Sequence, residues 1–378
     1  MKIITSFSIF VLGICHATGQ ISTAVEKFAL PTNISESSGA IFFNNKLITH
    51  NDSGGENKLY ELDTISGLVT REVTISNATN VDWEDITQDG GSIYIGDIGN
   101  NVSGNRTDLK IYKISKSDYL SSETVNAQTI AFNYSDQIDF APTSVNNTEW
   151  DAETLVSFDA INLILFTKNW VNGTTKGYLI PKAAGTYSVS PLATTLNSGG
   201  LISGGTYNPL TAKLFLVGYT NTDSLLPLQP FVWVSDGFIG SDVFSGTNTK
   251  TSLTSFGFEQ TEAITYVNES RYFMTSESFS NIISDYAKAI AFSTNDVALS
   301  IDDHEVADAI ILYPNPVKDF LKIDAVGVNA VEIYDMKLTK LYNGNNTNID
   351  MTSFSPGIYV IKISFKDHFQ VMKKIVKK

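Results

Sequence analysis

Acidic side chains crowd one short stretch of this chain. Between Val81 and Asn101, the carboxyl groups of Asp82, Glu84, Asp85 and Asp97 flank a single apolar strand, Ile93–Ile95, with a Gly90-Gly91 turn before it and Gly99-Asn100-Asn101 after it. Carboxylate and amide oxygens on a β frame suit a hard cation, Ca²⁺ or Mg²⁺ with retained waters, rather than zinc. Soft or imidazole ligands are scarce: the sole cysteine is Cys15, and His50, His304 and His368 lie in three separate regions. Two carboxylates about 6 Å apart repel by roughly 3 kcal/mol at an effective dielectric near 20. A bound cation, protonation or intervening solvent must offset that cost.

The acidic stretch is one copy of a repeat. Glu36, Glu84, Glu153, Ser203 and Glu262 each precede a first hydrophobic strand, followed by a turn and a stronger second strand such as Lys46–Thr49, Leu163–Phe166 or Arg271–Met274. The intervals of 48, 69, 50 and 59 residues approach the roughly 40 to 50 of propeller blades, with added loop length. Short alternating runs separated by Gly, Asn, Asp and Ser, without helical periodicity, predict an all-β fold. A β-propeller is the favoured architecture because radial stacking hides strand edges. Five blades are visible; a sixth, hidden by divergence, and a two-sheet sandwich are the alternatives. Val25–Leu30 is placed to close the ring beside Ala289–Ser293.

A propeller brings equivalent positions of its inner strands together around one axis. Glu36, Glu84, Glu153 and Glu262 are therefore candidate metal ligands, joined by Asp52, Asp82 and Asp97 from the same face. Asn100 and Asn101 in a loop after a second strand, with Arg106 and Lys168 as the cations facing the acidic rim, are candidate ligand contacts. The competing reading is architectural: each Glu caps backbone amides at its blade's inner edge, and the Asn and Asp clusters make plain turns. No nucleophile elbow or metalloprotease helix is present. Glu149 or Asp151 with Glu153 offers a glycosidase-like pair of low specificity. Trp83, Trp150, Trp170 and Trp233 read as packing residues rather than a sugar platform.

The ends of the chain carry an address. Lys2, the apolar run Ile3–Ile14 and the small residues Ala17-Thr18-Gly19 predict a signal peptide over 1–19. Leu12–Cys15 faintly resembles a lipoprotein box, but Ile14 is bulky where a small residue belongs. No later run reaches the roughly 20 apolar residues of a transmembrane helix. A net charge of −14 argues against a nucleic-acid partner. The propeller is expected over 23–299, a linker over 300–309, and a small immunoglobulin-like β-sandwich over 310–378.

Tyr313-Pro-Asn-Pro-Val317, Val331–Asp335, Asn348–Met351, Ser355–Ile361 and Lys373–Lys377 resemble, in order and spacing, the type A sorting domain of the bacterial type IX secretion system. Met336-Lys337-Leu338 departs from that pattern, which commonly has a glycine there. The resemblance implies the secretion machinery as partner, a secreted or outer-surface location and, usually, removal of the domain. The competing reading is an adhesive sandwich that stays on the mature protein. Trp83–Ile86 with Gly96–Asn101 and a later Arg is similar to an uncharacterised group of secreted bacterial β-propellers, and the acidic channel loosely resembles phytase-like and gluconolactonase families. None of the latter's full motifs is present, so the catalytic residues are unknown. The leading expectation is a propeller that binds an unidentified small-molecule or extracellular ligand with Ca²⁺ on an acidic face. A calcium-dependent hydrolase of phosphoesters or lactones, and a metal-free structural surface protein, are the alternatives. Mass spectrometry of exported protein should find Lys373–Lys378 missing from most molecules; retention in most would refute the sorting reading.

Overall fold

The computed structural model describes residues 21–221, 228–280, 284–298, 311–325, 328–335, 339–365 and 370–378. The expected signal peptide and linker, and Met336–Leu338, lie outside the described residues. Two compact units divide the chain, Met1–Ala298 and Leu299–Lys378.

Five sheets, antiparallel but for one added parallel strand in each of two of them, make the blades of the first unit. Their inner strands are Ser37–Phe43, Trp83–Gln88, Ala152–Ser157, Leu201–Asn208 and Thr261–Tyr266, and each packs beside the next, the fifth against the first, so the ring closes with five blades. Blade 5 is completed from the other end of the unit: Val25–Ala29 pairs antiparallel with Lys288–Ser293, Val25 opposite Ala291 and Ala29 opposite Lys288. That is the closure the sequence predicted.

Extra chain length goes into links between neighbouring blades. After Lys110–Ser115, the short helix Lys116–Ser121, capped by the Ser115 hydroxyl, leads to Thr124–Val125, which returns to pair with Val69–Ile75 of blade 1. Gly185–Val189, which follows the three strands of blade 3, joins blade 2 in parallel with Gln128–Tyr134. Apolar clusters fill the gaps between blades. Ile48 and Leu59 of blade 1 pack with Trp83, Ile93 and Tyr112 of blade 2, and Phe215 and Val232 of blade 4 pack with Tyr272 and Ile290 of blade 5. Trp83 is fully buried, its indole N–H donating to the Thr79 carbonyl at 3.1 Å.

In the second unit, a three-stranded sheet (Ile311–Tyr313, Phe320–Asp324, Asn348–Asp350) and a four-stranded sheet (Lys340–Gly344, Val328–Tyr334, Gly357–Phe365, Gln370–Lys377) share one core. Alternate residues point inward, as strand geometry requires: Tyr359, Ile361 and Ile363 meet Val331, Ile333, Leu321 and Ile323 there.

Asp89 fastens blade 2 to blade 3 at the end of the propeller opposite the strand exits described below. It accepts from the amides of Gly91 and Ser92, both at 2.9 Å, and from the Tyr94 hydroxyl at 2.8 Å, and it pairs with Lys182 at 3.0 Å. Burial works to raise its pKa, but the Gly91 amide, the Tyr94 hydroxyl and the Lys182 ammonium outweigh it and bring the carboxyl to about 2. A folded pKa below the unfolded one contributes stability that is complete above about pH 4 and lost as pH falls through about 2. Asp89→Asn should therefore cost about 1 kcal/mol at pH 7, allowing for partial exposure. Urea melts should show the gap to wild type narrowing between pH 4 and pH 2; an unchanged gap would refute the assignment.

Candidate functional site

Every inner strand carries a β-bulge at the same place. Register slips by one residue between Ser37 and Gly39, Trp83 and Asp85, Ala152 and Thr154, Ile202 and Gly204, and Thr261 and Ala263. The extra residues are Ser38, Glu84, Glu153, Ser203 and Glu262, all buried. A bulge leaves one residue outside the ladder and re-aims its side chain, and here five such residues form one ring around the axis. In the blade 1 bulge the ring member is Ser38; Glu36 lies two residues earlier and is exposed. The phase differs because a register slip, not a residue type, marks the position.

Two further sets flank this ring. At the exits of the second strands, the amides of Asp52, Ile98, Lys168 and Glu277 donate to the carbonyls of Glu36, Asp82, Asp151 and Gln260 respectively. The repeated bond puts Asp52, Ile98, Lys168 and Glu277 in equivalent places, and the carbonyl partners, two residues before each bulge, in another. Asp82 and Glu84 thus reach the axis from one strand, Asp151 and Glu153 from the next.

Seven carboxyl groups converge: Asp52, Asp82, Glu84, Asp151, Glu153, Glu262 and Glu277. Oxygens of Asp52, Asp82 and Glu84 lie within 4.8 Å of one another, as do those of Glu84, Asp151 and Glu153, so Glu84 belongs to both triads. Burial raises the pKa of Asp52 to about 6, with Glu262 adding to the rise. It raises that of Asp82 to about 7, with Asp52 and Asp151 adding. Glu84 is pushed well above the carboxylate range by burial and then by Asp52 and Glu153.

The triads differ in what already supports them. Both Asp151 oxygens are held, one by the Asn100 amide at 2.6 Å and one by the Trp170 indole at 2.7 Å. Glu153 pairs with the Lys168 ammonium at 2.8 Å. Around Asp82, no described residue donates a hydrogen bond to the carboxylate, and Glu84 receives only the Ser38 hydroxyl at 3.3 Å. Glu262 is 2% exposed, and neither of its carboxylate oxygens has a hydrogen-bond partner.

Other expected site residues are engaged by neighbouring groups. Asp97 is fully buried against Arg106 at 2.8 Å and Lys110 at 3.4 Å. Arg106 also binds Asp108 and the Gly99 carbonyl, so it braces the loop. The Asn100 side chain spans the Arg106 amide and the Trp150 carbonyl, while the Asn101 carbonyl accepts from Asn146. Lys168 is not on the rim but buried among the acids. Glu149 stands apart from the triads, partly exposed and 3.9 Å from Lys176. His50 is buried edge-on to Trp83, and burial lowers its pKa to about 4. In the sequence Asp151 reads as part of a carboxylate pair. The signal that would have placed Asp151 was its spacing from Glu153, which repeats that of Asp82 from Glu84.

Fold and tail together define an exported β-propeller. Residues 311–378 belong to the secretion system C-terminal sorting domain family, and this type IX address makes the protein secreted or outer-surface. No described helix is long and apolar enough to cross a membrane. Comparison with curated proteins gives no match. Among solved structures, the PQQ-bound aldose sugar dehydrogenase of Streptomyces coelicolor is similar at 8% identity over 73% of this chain and 99% of that one, with a TM-score of 0.41. Penicillium chrysogenum α-L-arabinanase complexed with arabinobiose gives 9% identity, 74% and 100% coverage and a TM-score of 0.41. A GH43 β-1,3-galactosidase gives 9%, 71% and 94%, and 0.40. Likeness at this level assigns no chemistry.

Gly99 is fixed by the acids it covers. A Cβ there would collide with the carboxylates of Glu84 and Asp82, whereas one at Gly90 would meet open space. Gly99→Ala should destabilise the propeller by roughly 1–3 kcal/mol, the usual cost of overpacking. Gly90→Ala should leave denaturant midpoints unchanged. Equal midpoints for both variants would show that the carboxylates move aside freely.

Proposed function

We propose that the propeller binds a calcium ion through Asp52, Asp82 and Glu84 and uses the loaded mouth to hold an extracellular ligand. The observation that carries this reading is the unequal support of the two triads: Asp82 accepts no hydrogen bond from a described residue, Glu84 only that of the Ser38 hydroxyl and Asp52 only that of the Ser53 amide, while both Asp151 oxygens are held and Glu153 is paired with Lys168. At separations below 5 Å, each pair of ionised carboxylates costs roughly 3 kcal/mol at an effective dielectric near 20. A divalent cation removes that cost, and an all-oxygen set of three carboxylates, offering up to six donor atoms, suits Ca²⁺. When bound, the ion would supply a concentrated positive charge able to take a ligand oxygen. The chain's own residues fix the orientation: the bulge aims Glu84 at the axis, and Gly99 allows its carboxylate close approach.

A second reading is a calcium-dependent hydrolase of phosphoesters or lactones. It draws on the sharing of Glu84 between two triads, which sets a further carboxyl group beside the cation position where it could take a proton from water. A metal-free surface scaffold is the third. Titration calorimetry and thermal melts of the exported chain separate them. Calcium at 100-fold over Kd should stabilise by about 2.7 kcal/mol, a rise of several degrees in Tm. EDTA should reverse the rise, and Glu84→Gln should abolish it. Identical melts with calcium and with EDTA, and no binding heat, would leave only the scaffold reading. Turnover in a phosphoester and lactone screen would favour the hydrolase over the binder.

A further inference from the structure

Lys168 occupies an unusual place for a lysine. It leaves the second strand of blade 3 at the position where blades 1 and 5 place Asp52 and Glu277, and it is the cation buried among the seven carboxyl groups. Its ammonium lies 2.8 Å from Glu153 and 3.9 Å from Glu262. The faces of Trp170 and Tyr219 stand 5.1 and 5.3 Å away, close enough for both rings to stabilise the cation. Burial alone would discharge a lysine here, but Glu153 and Glu262 outweigh it.

We infer that Lys168 is a tethered cation standing in for a second metal ion: it closes the Glu84–Asp151–Glu153 position, so the mouth takes one divalent ion rather than two. The inference rests on reading the mouth as a cation site, and three observations support it. The triad beside Lys168 has the same all-oxygen chemistry and the same 4.8 Å compactness as Asp52–Asp82–Glu84 and shares Glu84 with it. Glu262, a buried side chain whose two oxygens have no hydrogen bond, stands 3.9 Å from the ammonium and offers a further oxygen ligand to a cation there. Everything holding the lysine in place acts on charge or aromatic faces, and its carboxylate partners would accept a divalent ion in its stead. A bare buried carboxylate pair, by contrast, is strongly unfavourable.

Native mass spectrometry of calcium-equilibrated protein counts bound ions directly. Wild type should carry one, Lys168→Met two, and Lys168→Met combined with Glu153→Gln one again. Methionine keeps the packing against Trp170 and Tyr219 and contributes no oxygen. In thermal melts, Lys168→Met should be less stable than wild type in EDTA and gain more from calcium. One ion on both wild type and Lys168→Met would overturn the inference and leave the calcium reading standing. None on wild type and one on Lys168→Met would overturn the calcium reading and uphold the role of Lys168. None on either overturns both, and two on wild type overturns the inference. Failure of Lys168→Met to fold even in calcium also overturns it, because a position that needs only positive charge would be filled.

Discussion

Like charge at the axis is the constraint on which the rest of this propeller depends. Five bulges aim five side chains at one line, and three of those side chains are glutamates. Flanking positions add four more carboxyl groups. Such a collection cannot stay ionised in a buried ring without positive charge or donors close by, and the surrounding structure supplies them unevenly. Trp170, the Asn100 amide and Lys168 serve the blade 3 acids. Arg106 and Lys110 draw Asp97 out of the cluster. Of the remainder, Glu277 accepts the Gln260 side-chain amide, Asp52 the Ser53 amide and Glu84 the Ser38 hydroxyl, while Asp82 and Glu262 accept no hydrogen bond from a described residue.

A buried carboxylate is not always part of that demand. Asp85, next to Glu84 in sequence, is fully buried and accepts the amides of Ile86 and, across the blade boundary, Leu155, each at 2.8 Å. Burial raises its pKa while these amides oppose the rise. Glu84 and Asp85 are consecutive acids with different support: backbone amides serve Asp85, whereas Glu84, the bulge residue, receives only the Ser38 hydroxyl.

The architecture was legible because strands advertise themselves by alternation and blades by repetition. Even the closing strand could be placed from Val25–Leu30, since a ring with one strand missing leaves an edge that an unassigned apolar run must cover. The acidic cluster was legible as well, through Asp82, Glu84, Glu153 and Glu262. Position within it was harder. Residue type alone points to Glu36 rather than Ser38, because a bulge leaves no mark in the sequence. Arg106 and Lys168 were both read as rim cations. Nothing in the chain around them reveals that Arg106 turns back to Asp97 while Lys168 reaches the axis.

The pairing of Val25–Ala29 with Lys288–Ser293 has a consequence for how the molecule is made. The first strand of the ring has its partner more than 250 residues later, so on a chain emerging from its amino end the ring cannot close until the last blade has arrived. Contacts this distant in sequence form slowly. The acids of blades 1 to 3 lie on sequential neighbours and can gather as those blades pack, whereas Glu262 and Glu277 of blade 5 join them only when the circle is closed. Closure thus brings the last of the charge to the axis.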